Sequence, residues 1–313
     1  MKDRSRKIEL LLGTRSSLLA LQQAHWVKKR VEELDPEITV TLVHIKTTGD
    51  KLDFPLFQVG GKGLFVKEIE EALIRKEIDL AVHSAKDLPA IIPEGLILMA
   101  FPEREDPRDA LVSQGGKRFE EVPQGGKIGT GSLRRKAQLL NLRPDLEIVP
   151  LRGNLDTRLK KLMAMNLDGV ILAAAGLRRM NWEGQVSEFF DPETMVPAIG
   201  QGALAVETRE EDERVRRAVA PLDHPPTRVS VLAERAFLRR LEGGCQVPIG
   251  GLARIRAEKL ALTGLVAGVD GRRVVKGKVE GPLGKNTELG VQLAEDLLGR
   301  GAEEILREVY QKG

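Results

Sequence analysis

The sequence has a single cysteine, Cys245, so it can build neither an internal disulfide nor a cysteine-based zinc cage. Aromatic residues make up only 4%, too few to furnish a stacking surface for single-stranded nucleic acid. The four histidines, His25, His44, His83 and His224, are scattered without metal-ligand spacing. No apolar run approaches the roughly 20 residues of a membrane span. The basic start Lys2-Asp3-Arg4-Ser5-Arg6-Lys7 is followed by an apolar stretch, Ile8 to Leu12, that Glu9 interrupts and that is too short for a signal peptide. A soluble, cytoplasmic protein with no membrane or nucleic-acid partner is expected. An excess of one charge sign is missing too, because 49 cationic residues face 46 acidic ones for a net charge of +3. Any strong anion site must therefore come from local clustering.

What the chain does have is length and rhythm. Its 313 residues, 42% hydrophobic and 30% charged, suffice for two or three cores. Ile8 to Leu12 reads as a strand, followed by the turn Gly13-Thr14-Arg15. Ser16 or Ser17 then caps a helix with an apolar face of Leu18, Leu21, Val27, Val31 and Leu34. Thr39 to Ile45 reads as a strand, Lys46 to Gly63 as a long loop, Phe65 to Lys76 as an amphipathic helix and Leu80 to His83 as a buried strand. The rhythm restarts after Pro102. Strands end at Gly129, Leu151 and Ala175, and helices start after Ser132 and near Thr157. Repeated strand, glycine turn and helix argue for a mainly parallel sheet with helices on its faces. Beyond Pro221 the pattern changes. A helix from Leu232 to Leu241, antiparallel strands between Leu252 and Gly281 with a turn at Val269-Asp270-Gly271, and a helical stretch from Leu289 to Tyr310 describe a small α+β domain. Its linker falls near Asp223-His224-Pro225-Pro226.

In open α/β sheets, ligands bind beyond the carboxyl ends of strands. Five such ends here carry cations and hydroxyls: Arg15 with Ser17; Lys86 with Asp87; Thr130, Ser132, Arg134 and Arg135; Arg152 with Arg158; and Arg178 with Arg179. A guanidinium fork suits carboxylate or phosphate. Any one of these residues taken singly reads as a solvated helix face, and Arg178 stays in that class. The repetition at one topological place calls for a ligand with several anionic groups. Asp87 reads equally as a counter-ion to these cations or as a stabiliser of positive charge in a reacting ligand. Cys245 follows Gly243-Gly244 and precedes Gln246-Val247-Pro248, a shaped loop better suited to covalent attachment than to core packing. Gly200-Gln201-Gly202-Ala203-Leu204-Ala205 fits a dinucleotide fingerprint only formally, because Ala203 to Thr208 reads as a strand. Gly61-Lys62-Gly63 is likewise a weak match to a phosphate loop. Gly200 and Gln201 are instead placed at the cleft where the chain returns to its first lobe.

Taken in order, several segments resemble the porphobilinogen deaminase (hydroxymethylbilane synthase) family. They are Gly13-Thr14-Arg15-Ser16-Ser17, Thr47-Thr48-Gly49-Asp50, Gly61-Lys62-Gly63-Leu64-Phe65-Val66-Lys67-Glu68 and His83-Ser84-Ala85-Lys86-Asp87-Leu88-Pro89. Ile128-Gly129-Thr130-Gly131-Ser132-Leu133-Arg134-Arg135, Leu151-Arg152-Gly153-Asn154, Ala175-Gly176-Leu177-Arg178-Arg179-Met180, Gly200-Gln201-Gly202-Ala203 and Glu242-Gly243-Gly244-Cys245 continue the series. The resemblance implies two α/β lobes similar to periplasmic binding proteins, joined by a double crossover, plus a small α+β C-terminal domain. The corresponding boundaries are residues 1–103 with 198–222, residues 104–197, and residues 223–313. It also implies that porphobilinogen units condense head to tail with loss of ammonia, in tetrapyrrole (haem-type) biosynthesis. The primer would be a dipyrromethane cofactor joined to Cys245 as a thioether. No metal is implied, and a monomer is expected.

By the same resemblance, Lys86, Ser132, Arg134 and Arg135 hold the cofactor carboxylates, with Thr130 and Ser84 as neutral donors. Arg15, Ser17, Arg152, Arg158 and Arg179 hold the incoming unit, together with Gly200 and Gln201. Asp87 is the catalytic group, and the 46–63 loop, with Asp50 and Lys62, forms a lid. Two positions depart from the family pattern. Gly131 stands where relatives often have serine, and Asp156 adds a carboxylate near Arg158, expected on the outer helix face. The competing reading is a non-catalytic binding module for organic polyanions, which the same fold permits.

Overall fold

In the computed structural model, which describes residues 8–51, 66–242 and 247–312, three sheets organise the chain. The first contains β1 (Ile8–Thr14), β2 (Ile38–His44), β3 (Leu80–Ser84), β4 (Leu96–Ala100) and β10 (Leu204–Arg209) in the order β2-β1-β3-β10-β4. The second contains β5 (Asp109–Ser113), β6 (Lys127–Gly129), β7 (Glu147–Val149), β8 (Gly169–Ala173) and β9 (Glu188–Phe189) in the order β7-β6-β8-β5-β9.

The two sheets share one plan. Three parallel strands are followed by an antiparallel one, β10 in the first sheet and β5 in the second. That strand is in each case the one by which the chain arrives from the other sheet. The parallel pattern expected from sequence therefore holds for the strands that carry glycine turns, and each crossover adds the antiparallel strand. Both faces of each sheet are covered. In the first, Leu10, Leu12, Leu80 and Val82 pack with Val27 and Val31, and Ala81 packs on the other face with Ile69 and Leu73. Such two-sided burial explains the continuous apolar runs in these strands.

The helices of the first lobe are α1 (Leu18–Leu34), the four-residue α2 (Thr48–Lys51), α3 (Lys67–Ile74) and α7 (Glu213–Val219). The buried face of α1 is Gln23, Ala24, Val27 and Val31. Leu18 and Leu34, expected inside, are 53% and 48% exposed. Leu18 stands nine residues before Val27, about two and a half turns, and so points the opposite way. The second lobe has α4 (Leu133–Leu142), α5 (Leu155–Ala164) and α6 (Ala174–Arg179). The helix α6 begins directly at the end of β8, so Gly176, expected to close the strand, lies inside a helix.

The third unit is an antiparallel sheet of β11 (Ile249–Arg256), β12 (Lys259–Ala267) and β13 (Val274–Pro282). Helix α8 (Pro225–Arg240) packs with α9 (Asn286–Leu297) on it, with Phe237 and Leu293 in their shared core, and α10 (Glu303–Lys312) follows. Pro225 and Pro226 occupy the first positions of α8, where a missing N–H costs nothing, so the segment expected as linker starts the helix instead. The expected last helix is divided by a kink at Arg300 and Gly301.

Two crossover segments, residues 101–108 and 190–203, run side by side between the lobes. The Glu105 amide donates to the Gly202 carbonyl at 3.2 Å, and Arg104 Nε donates to the Gln201 carbonyl at 2.8 Å. Their approach requires glycine at 202, where φ is +89° and a Cβ would lie 2.2 Å from the Glu105 carbonyl oxygen. Glu234 of α8 ties both segments to the third unit. It accepts Arg104 Nη1 at 2.6 Å, the Gly200 amide at 2.6 Å and the Ala253 amide at 2.8 Å, and it is fully buried.

Candidate active site

A cleft of about 1000 Å³ opens where the carboxyl ends of β1 and β3 face those of β6, β7 and β8. The crossover residues Ala198, Ile199, Gln201, Gly202 and Ala203 form part of its wall, and Leu238, Val247 and Ile249 of the third unit line it too. This volume is at the upper end for a small-molecule site. Nine cationic side chains line it: Arg15, Lys46, Lys86, Arg134, Arg135, Arg152, Arg158, Lys161 and Arg179. Among the described residues Asp87 is the one carboxylate that does so. The local clustering that the near-neutral overall charge demanded is therefore present.

Helix starts reinforce it. The Ser17 hydroxyl caps α1 by accepting the Ala20 amide at 3.3 Å, and the Ser132 hydroxyl caps α4 by accepting the Arg135 amide at 3.4 Å. Asn154 precedes α5 without a side-chain cap. All three residues line the cleft, so helix dipoles add positive potential to the guanidinium groups.

Asp87 closes a 3₁₀ turn, Ala85–Asp87, that continues β3. Among the described residues none donates a hydrogen bond to its carboxylate. Ser84, at the end of β3, accepts a hydrogen bond from Gln23 Nε2 at 3.1 Å. Gln23 is buried and also lines the cleft. Burial pushes the Lys86 ammonium down to about 8, with Arg135 and Arg158 adding to the shift and Asp87 and Asp109 opposing it. Burial likewise takes Arg158 down to about 10, reinforced by Arg135 and Arg152, and takes Arg179 down to about 10 against Glu105. Arg152 is lowered by burial as well. An anion in the cleft would relieve the mutual repulsion among these cations.

Arg134 and Arg135 are the most enclosed of the group, each 4% exposed. Both grip Asp109, which sequence reading did not single out. Arg134 Nη1 lies 2.7 Å from its Oδ2, and Arg135 Nε lies 2.9 Å from its Oδ1. Burial alone would raise the Asp109 pKa, but the two guanidinium groups outweigh it and hold the carboxyl well below the usual carboxylate range. Nothing in linear spacing links residue 109 to residues 134 and 135; only the pairing of β5 beside β8 does. Arg158 Nε donates to the Gly153 carbonyl at 2.8 Å, and Arg179 Nη2 to the Gly202 carbonyl at 2.7 Å. Lys161 was also missed. It stands one helical turn beyond Arg158 on α5, and its Nζ donates to the Arg152 carbonyl at 3.1 Å.

The remaining expected residues are placed differently. Thr130 is buried behind the lining, its hydroxyl accepting the Ser132 amide at 3.2 Å. Gly200 sits in the crossover with φ +69°, while Gln201 lines the cleft. Arg178 pairs with Glu105 and Asp106 at 3.2 Å each and stays outside the lining, as expected. Asp156 is also outside the lining, whereas its neighbours Leu155, Thr157 and Arg158 are in it. A Cβ on Gly131 would lie 2.5 Å from the Leu151 carbonyl oxygen, so a serine there would force the two loops apart. Asp50 falls in α2, but its side chain lies outside the described residues, as do Lys62 and Cys245.

The donor set fits a group bearing several carboxylates. Among the described residues Arg134 Nε and Arg152 Nη2 are buried N–H donors without a protein partner, and both belong to residues that line the cleft. Unmet buried donors are costly, and an acceptor from a ligand would satisfy them.

Comparison with known proteins gives consistent results. A family profile described as "Porphobilinogen deaminase, dipyromethane cofactor binding domain" matches residues 10–217, and one described as "Porphobilinogen deaminase, C-terminal domain" matches residues 229–299. The porphobilinogen deaminase of Geobacter metallireducens is 57% identical over 305 residues, covering 97% of this chain and 96% of its own. That of Pelobacter propionicus is 56% identical over 305 residues, covering 97% and 98%. Among solved structures, the methionine binding protein MetQ aligns with a TM-score of 0.44 at 15% identity, over 68% of this chain and 89% of its own.

Proposed function

Because the chain belongs to the porphobilinogen deaminase family, we infer that the basic cleft is where it carries out that family's reaction. Its activity is that of a transferase, a hydroxymethylbilane synthase, which condenses porphobilinogen head to tail with loss of ammonia for tetrapyrrole biosynthesis. The enzyme uses a dipyrromethane cofactor, which supplies the terminal pyrrole to which the first substrate unit is joined. With this membership the non-catalytic binding module is no longer the better reading.

The residue roles are those that the family resemblance implies, and the chemistry of the substrate is compatible with them. Porphobilinogen carries an acetate and a propionate, and a chain of pyrroles multiplies them. Arg134, Arg135, Lys86 and Ser132 hold the cofactor carboxylates, with Ser84 and Thr130 as neutral groups behind them. Arg15, Ser17, Arg152, Arg158 and Arg179 receive the incoming unit, and Gln201 borders both. The cleft lining and the two unmet guanidinium N–H groups support binding of several carboxylates there.

Asp87 is the catalytic residue of this reading. When the carbon–nitrogen bond of porphobilinogen breaks, the electron pair leaves with the amine, which takes up a proton, and the methylene carbon becomes electron-poor. The attacking pyrrole forms the new carbon–carbon bond and then loses its ring proton. A carboxylate among nine cations is the group able to accept the pyrrole N–H and stabilise the positive charge, and it can move those protons. The single observation that carries the proposal is that, among the described residues, Asp87 is the only carboxylate of the cleft lining and receives no hydrogen bond from the protein. Substituting Asp87→Ala is expected to leave the fold intact and to lower ammonia release from porphobilinogen by about 10² to 10⁴-fold. Release at the parental rate would make Asp87 a counter-ion only.

Three further readings belong here. Cys245 is the covalent anchor, favoured by the neighbouring Val247 and Leu238, which open onto the cleft. The domains run over residues 1–103 with 198–222, residues 104–197 and residues 223–313, favoured by the two crossover segments. The enzyme acts as a cytoplasmic monomer, and no helix of the described residues is long and apolar enough to cross a membrane.

A further inference from the structure

Asp109 is fully buried at the start of β5 and does not line the cleft, yet three residues that do line it meet on its carboxylate. Its Oδ2 accepts Arg134 Nη1 at 2.7 Å, and its Oδ1 accepts Arg135 Nε and Gln201 Nε2, each at 2.9 Å. The arginines come from α4, and Gln201 comes from the second crossover segment. Gln201 Nε2 also donates to the Pro107 carbonyl at 2.7 Å, which binds the two crossovers together at this point. The main chain takes further N–H groups of the arginines: Arg134 Nη1 also donates to the Val196 carbonyl at 2.7 Å, and Arg135 Nη1 donates to the Ile171 carbonyl at 2.9 Å.

Two guanidinium groups on successive residues, both shut away from solvent, repel each other with little screening. A shared carboxylate behind them removes that repulsion and sets the plane of each fork, and a fork grips a second carboxylate well only in the right plane. After Asp109 and the main chain have been served, Arg134 Nε remains buried without a partner among the described residues. Asp109 thus orients the pair without consuming it.

We propose that Asp109 is a positioning residue for primer capture: it locks Arg134 and Arg135 to the crossover segments and so presents their remaining N–H groups to the carboxylates of the dipyrromethane. The inference rests on the cofactor reading above and extends it to a residue that touches no ligand. Fixing the pair to the crossovers also keeps the primer beside both lobes. Asp109 has a second effect on the site. Among the described residues, the charged groups that act on Lys86 include Asp87 from its own turn, Arg135 from α4, Arg158 from α5 and Asp109 from β5. Removing the Asp109 charge therefore leaves the Lys86 ammonium less supported.

The test compares parental protein with Asp109→Asn and Asp109→Glu, all made in cells that synthesise porphobilinogen, by intact mass and thermal unfolding. Folded Asp109→Asn is expected to carry the primer in a fraction about tenfold lower or less. The part that does carry it should lose activity on the alkaline side at lower pH than the parental enzyme. Asp109→Glu, which keeps the charge, should regain part of the primer-bearing fraction. A merely structural role would lower the melting temperature while leaving the primer-bearing fraction of folded protein and the alkaline limb unchanged, and that result would overturn the proposal. If Asp109→Asn does not accumulate folded, Gln201→Leu removes one orienting group and keeps the charge; a normal primer-bearing fraction there would count equally against it. Parental protein with the bare sequence mass would instead sink the cofactor reading.

Discussion

Lys86 shows how a single side chain is set by its position. It follows a buried strand into a turn crowded by Arg135 and Arg158, and burial brings its ammonium to about 8. Below that pH it is charged and can hold a carboxylate. As pH rises through about 8 the charge is lost, and affinity for a polycarboxylate should fall with it. A Lys86→Arg variant stays charged over that range. Turnover of primer-bearing enzyme is expected to fall above pH 8 in the parental protein and to fall less in Lys86→Arg; identical pH profiles would contradict the assignment. Most basic residues of the site were legible in the sequence because they stand just beyond the end of a strand, a place that can be found by counting. Asp109 and Gln23 were not, nor was Lys161, which lies deeper in a helix. The roles of Asp109 and Gln23 depend on partners far away in the chain, residues 134 and 135 for Asp109 and Ser84 for Gln23. A buried carboxylate at the start of a strand gives no linear sign of what it binds.

Helix α3 illustrates the same point for a whole element. Its apolar side, Ile69 and Leu73, follows from helical spacing and is buried as expected. Glu70 is also buried, against His83 of β3 and Glu207 of β10, which hydrogen-bond each other at 2.9 Å. No periodicity reveals this, because a glutamate beside an apolar stripe normally reaches solvent. Burial, reinforced by the Glu207 carboxylate and opposed by His83, raises the Glu70 pKa from 4.5 to about 7. The folded chain therefore holds a proton on Glu70 where the unfolded chain does not. The stability this contributes is full below pH 4.5 and is lost as pH rises through 7. Glu70→Gln, neutral throughout, should be the more stable protein above pH 7 and should flatten the pH dependence between 4.5 and 7. Urea midpoints across that range check this, and an unchanged slope would contradict it. The divided last helix, and Gly176 inside α6 rather than at a strand end, were also beyond sequence patterns. In both places tertiary packing decides where a helix starts or breaks, and local composition only permits it.

At the scale of the molecule, two lobes of one sheet plan face each other across a cationic cleft, and the crossover segments and Glu234 join them to a third unit. The alternation of strand and helix, and the change of pattern after Pro221, made this layout legible. The insertion of β5 and β10 as antiparallel strands was less so, because strand order depends on which lobe the chain is entering. The arrangement suits an enzyme whose product grows while it is held. Among the described residues cations from both lobes surround one carboxylate, and Leu238 and Val247, on either side of Cys245 in sequence, reach the same cleft. The central claim is that Cys245 tethers the primer, so the most direct test is the intact mass of protein made in cells that synthesise porphobilinogen. The account predicts a mass above that of the sequence by one dipyrromethane, and loss of that increment in Cys245→Ser. A parental protein at the bare sequence mass, or a Cys245→Ser protein that keeps the increment, would contradict it.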